Sequence, residues 1–139
     1  MNTTQQVRPL YSLDGIVIGT VLGSFIAGVF MVVANYAALG SDTLAKRTAI
    51  GGLAIYVLIV VLTAFMPNAL WVGVVFMFVQ AALAFFLATQ LQGPVLQYHR
   101  SQGHAFHGLL RSAGVGVLAG LMAITAIVSI GTLLALMMA

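Results

Sequence analysis

The chain has no cysteine and only two acidic residues, Asp14 and Asp42, so glutamate is absent altogether. The first absence excludes disulfides, thiolate metal centres and cysteine nucleophiles. The second removes the membrane-embedded glutamate on which small four-helix multidrug exporters depend. Charge of either sign is scarce: 5% of residues are charged, against about 25% in an ordinary soluble domain. A net charge of +3 and a pI near 9.8 superficially suggest nucleic-acid binding. They rest on five basic side chains, however, with no cluster larger than Lys46-Arg47. The basic residues therefore read as topology determinants, and no nucleic-acid partner is expected.

Hydrophobic residues make up 62% of the 139, with a mean hydropathy of +1.14. All seven charged side chains, Arg8, Asp14, Asp42, Lys46, Arg47, Arg100 and Arg111, fall outside four apolar stretches at 15–39, 48–66, 69–91 and 113–138. A hydrocarbon core about 30 Å thick needs about 20 helical residues. The expectation is an all-α membrane protein, a bundle of four transmembrane helices joined by short loops, forming one membrane domain over residues 1–139. The first apolar run exceeds the 7–15 residues typical of a cleavable signal core and is not read as one.

Lys46, Arg47, Arg100 and Arg111 occupy the first and third loops, and Arg8 alone lies on the other side of a four-span chain. The positive-inside rule then places loops one and three in the cytoplasm and both termini in the periplasm. Ser12 or Asp14 is placed to cap the first helix, Gly40-Ser41-Asp42 to close it, and Pro67-Asn68 to form a tight turn between helices two and three. In the third loop, 92–111, Gly93-Pro94 is expected to end or kink helix three, leaving a connection at the membrane interface.

Gly15, Gly19 and Gly23, continued by Ala27, recur every four residues on the first helix, and Ser112, Gly116 and Gly120 form a comparable row on the last. Such rows let backbones approach closely. The first and last helices are expected to meet through them, the alternative being a seam between copies. Gln80 lies mid-span, where an unpaired amide is costly, so it is expected to bond across helices to Thr20, Ser24, Tyr56, Thr125 or Ser129, or to line a polar site. Asn35 and Tyr36 read as headgroup-depth anchors.

No ionisable residue falls inside a span, which argues against proton-coupled transport. His99, His104 and His107 are the metal-ligand candidates, but they lack thiolate or carboxylate company, and neither a metal nor a cofactor is expected. With Arg100 and Arg111 they read instead as a contact for anionic lipid or a partner.

The string Leu10-Tyr11-Ser12, Leu22-Gly23-Ser24, Ala27-Gly28, Asn35-Tyr36, Leu39-Gly40, Leu91-Gln92-Gly93, His99 and Gly103 resembles a group of small, uncharacterised bacterial inner-membrane proteins. The likeness covers most of the chain and implies a bacterial source and a four-helix membrane protein. Its motifs are glycine and helix-end signals, so it brings no activity. The functional expectation is a non-enzymatic interaction protein whose partners are the bilayer and either a second copy or another membrane protein. A passive channel or solute facilitator and an immunity-type protein against a membrane-targeting toxin are the alternatives.

Overall fold

The computed structural model describes residues 7–138 and contains five helices: α1 Leu13–Gly23, α2 Phe25–Ala38, α3 Asp42–Ala64, α4 Leu70–Ser101 and α5 Leu109–Met138. Three of them, α3, α4 and α5, are long and apolar enough to cross a membrane. The expected first span, 15–39, is instead two short helices of 11 and 14 residues.

This is a correction to the four-span reading, and its cause is local. Ser24 adopts φ 68° and ψ 177°, which stops α1 and starts α2 in a new direction. The two helices fold back on each other as an antiparallel hairpin. Tyr11, just before α1, exchanges backbone hydrogen bonds with the Asn35 side chain near the end of α2. The Met31 side chain lies over Gly19, and Gly28 packs against Thr20. Apolar composition over 25 residues is equally compatible with a full crossing or with two half-length helices, because hydropathy records length and not path.

Around this hairpin the long helices stand as posts. α1 packs on α4 and α5, while α2 packs on α3 and, less extensively, on α4 and α5. Among the described residues the backbones of α3, α4 and α5 make no close approach to one another. The core is accordingly the hairpin itself, with Ile16, Phe25, Ala27 and Met31 almost fully buried. Most of α3, α4 and α5 is exposed apolar surface, as expected where hydrocarbon is the solvent.

Helix ends follow local chemistry. The Ser12 hydroxyl caps α1 by accepting from the Gly15 N–H at 3.1 Å. Gly40 (φ 72°) ends α2 in a Schellman turn, with Ser41 N–H donating to Tyr36 O and Gly40 N–H to Ala37 O. Gly103 (φ 70°) ends α4 in the same way. A second correction concerns α4, which does not stop at Gly93-Pro94 but runs through Pro94 to Ser101. Gln92, Leu96 and His99, spaced one helical turn apart, are buried on one face, and this packing outweighs the single backbone hydrogen bond that proline removes. The connection between α4 and α5 is therefore only 102–108.

The N-terminal segment lies at the same end of the molecule as that connection. Leu10 and Phe106 form an isolated parallel bridge, and His107 N–H donates to Leu10 O at 2.8 Å. The expectation that the N-terminal segment sits opposite the first and third loops is thereby revised. A hairpin returns the chain to the end where it began, whereas a full span would not.

Candidate functional site

At the base of the hairpin is a closed amide network. The Asn35 Oδ1 accepts the Tyr11 N–H at 2.7 Å, and Asn35 Nδ2 donates to Tyr11 O at 2.9 Å and to Gln92 Oε1 at 3.0 Å. Gln92 Nε2 in turn donates to Val32 O at 2.8 Å. Asn35 and Gln92 are each 1% exposed, so these bonds satisfy groups that water cannot reach. The Tyr36 hydroxyl adds a bond to Leu91 O at 3.0 Å. Asn35 is thus the clasp of the hairpin and not a headgroup anchor. Gln92 lies beyond the apolar run, where the sequence reads as loop and gives no sign of a buried, fully bonded amide.

The far end of the hairpin is its tip, Gly23-Ser24-Phe25. Gln80, midway along the apolar part of α4, accepts the Phe25 N–H through Oε1 at 3.0 Å. The amide therefore bonds to backbone freed by the helix break, and not to the Thr20, Tyr56, Thr125 or Ser129 side chains. Thr20 and Thr125 satisfy their hydroxyls on Ile16 O and Leu121 O, one turn back in their own helices. Ser24 Oγ is buried and has no partner. Beside it opens a cavity of about 520 Å³ between α3, α4 and α5, whose lining includes Ser24, Tyr56, Thr63, Gln80 and Gly120. Its polar groups are hydroxyls and one amide, and no ionisable acid, lysine, arginine or histidine lines it.

The tip is held in place by the small residues. Gly15, Gly19 and Gly23 of α1 face Ser112, Gly116 and Gly120 of α5 in parallel. A Cβ at Gly116 would lie 2.6 Å from Gly19 O, one at Gly120 3.0 Å from Gly23 Cα, and one at Gly23 would fall on the Gly116 backbone. Only glycine admits so close an approach. Ser112 is fully buried against Gly15, with its hydroxyl unpartnered. Ala27 is not part of this seam: the break at Ser24 moves it onto α2, where it is fully buried in the hairpin.

The histidines and arginines of the third connection form a separate, charged-end cluster. His99 Nε2 lies 2.9 Å from Ala105 O, and the His99 ring contacts those of His104 and Phe106, each at 5.0 Å between centroids. Arg100 stacks over Phe106 at 5.7 Å, and His107 packs on Tyr11 at 4.5 Å. Partial burial, with the Arg111 charge adding to it, holds the His107 pKa below the usual histidine value. Among the described residues, no three histidine, aspartate or glutamate side chains converge as a metal site. The cluster fastens the N-terminal segment to the α4–α5 connection.

No family model, curated protein or solved structure matches this chain.

Proposed function

We propose that this is a non-enzymatic integral protein of a bacterial inner membrane that crosses the bilayer three times and dips into it once, and that the tip of the dip is a passage site for small uncharged solutes. The break at Ser24 carries this reading. Irregular backbone at bilayer depth persists only where protein buries it or where it lines a cavity. Here the freed Phe25 N–H is satisfied by Gln80, and Gln80 and the tip residues Gly23 and Ser24 together line the 520 Å³ cavity. At 1.5 Å per residue, the 11 residues of α1 reach about 16 Å, half of a 30 Å hydrocarbon core.

Chemistry at the tip favours a neutral solute. Tyr56, Thr63 and Gln80 line the cavity with uncharged polar groups. The C-terminal dipole of α1 and the N-terminal dipole of α2 meet there with opposite signs and largely offset, so neither a cation nor an anion is favoured. With the hairpin returning to its starting side, Arg8, Lys46, Arg47, Arg100 and Arg111 all belong to one face. The positive-inside rule then assigns that face, with the N-terminal segment, to the cytoplasm and the end of α5 to the periplasm. Because the backbones of α3, α4 and α5 do not come close to one another, the chamber beyond the tip is walled loosely, which supports assembly with a second copy. The glycine seam is already occupied within the chain, so the exposed faces of the long helices supply that contact.

The test is stopped-flow light scattering on proteoliposomes challenged with glycerol or urea. Permeation above protein-free liposomes is expected, reduced in Gln80→Leu and in Tyr56→Phe. Permeation equal to empty liposomes for both solutes would refute passage and leave the interaction role as the surviving reading.

A further inference from the structure

We propose that the groove between α3 and α4 binds one acyl chain of an anionic phospholipid from the charged-side leaflet, with its phosphate held by Arg47. Although the Pro67-Asn68 turn joins α3 to α4, the backbones of the two helices stay apart, and α2 forms the floor of the gap between them. The gap is a cavity of about 370 Å³. Its walls are apolar along their length, with Val29, Ile55 and Leu87 among them.

Three features define the occupant. The first is length: the floor runs from Tyr36 to Phe25, twelve residues separated by eleven helical steps and about 16 Å, which matches the roughly 15 Å of hydrocarbon in one leaflet. The second is access, because Gly51 lines the groove without a side chain and a Cβ there would meet nothing within 4 Å, so the α3 wall is open at this point. The third is charge. Arg47 and Thr48 lie at the headgroup end and the rest of the lining is apolar apart from Tyr36, whose hydroxyl is already bonded to Leu91 O. A guanidinium forks onto phosphate oxygens, and a hydrophobic slot below it accepts a tail. A second copy's helix laid in the slot would bring apolar side chains to it, and only Asp14 or Asp42, the two acidic residues of the chain, to pair with Arg47, whereas a phospholipid carries its anion directly above its tail.

Native mass spectrometry from mild detergent tests this with phosphatidylglycerol and phosphatidylcholine of identical chains. One retained lipid per chain is expected, with phosphatidylglycerol preferred about fivefold, the effect of one basic residue at the surface. Arg47→Gln should abolish the preference and keep the binding. Gly51→Leu, whose Cβ meets no protein atom within 4 Å and whose side chain is added to the groove lining, should remove both lipids, while Gly73→Leu on α4, also in open space but outside the groove, should remove neither. An unchanged preference in Arg47→Gln, or full lipid retention in Gly51→Leu, would overturn the site. So would a change of oligomeric mass in Gly51→Leu without lipid loss, which would mean that a second copy covers the groove.

Discussion

Replacing Ser24 with glycine discriminates between the hairpin and a continuous first helix by the sign of its effect. At φ 68° and ψ 177°, Ser24 occupies a region of backbone space open essentially to glycine alone, at a cost of about 1–3 kcal/mol. Glycine removes that strain together with the buried hydroxyl that finds no partner. Against this stands the extra freedom glycine gives the unfolded chain, about 0.5–1 kcal/mol. The net expectation is stabilisation of about 1 kcal/mol, a rise of roughly 3–5 °C in Tm for a chain of this size. Were residues 15–39 one helix, the same change would put a poor helix former at its centre and lower stability by about 0.5 kcal/mol. Differential scanning fluorimetry in mild detergent, with chemical unfolding as a check, reads the sign. A lower melting temperature for Ser24→Gly would refute the strained tip.

Three further outcomes follow from the packing and the charged end. Gly23→Ala, whose Cβ would fall on the Gly116 backbone, should destabilise by about 1–3 kcal/mol in thermal melts, whereas Gly131→Ala, in open space, should be neutral or slightly stabilising. Asn35→Ala breaks the clasp and strands the Tyr11 N–H and the Gln92 amide; a loss of about 2–4 kcal/mol is expected, and an effect below 0.5 kcal/mol would mean the network does not hold the hairpin. The folded pKa of His107 is lowered, so the unfolded chain binds its proton more readily, and stability is lost as the pH falls below about 6.5. Melting temperature should therefore drop from pH 7.5 to 5 more steeply in the parent than in His107→Gln; parallel curves would remove His107 from the pH response.

Hydropathy made α3, α4 and α5 legible, because each contains a long uncharged run, 48–66, 69–91 and 113–138. The hairpin was hidden by the same property. Residues 15–39 carry no proline or charge at the bend, and the turn is made by a serine under strain that packing imposes. A signal was nonetheless present: Gly19 and Gly28 lie at similar distances on either side of Ser24, with Tyr11-Ser12 and Asn35-Tyr36 as polar brackets. Gln80 drew notice as a mid-span amide, but its partner is backbone that a regular helix would never have freed. Gln92 and the continuation of α4 were illegible because Pro94 reads as a stop, and only a buried face shows why the helix runs past it.

The course of the first apolar stretch is tested most directly by sidedness. The chain has no native cysteine, so single cysteines report without background. Pro9→Cys, Ser41→Cys, Asn68→Cys, Gln102→Cys and Met138→Cys should be labelled with a membrane-impermeant thiol reagent in sealed spheroplasts and in inverted vesicles. Positions 9, 41 and 102 are expected to react from one side and positions 68 and 138 from the other. Labelling of position 9 together with 68 and 138 would mean that residues 15–39 cross the membrane, and would contradict the hairpin.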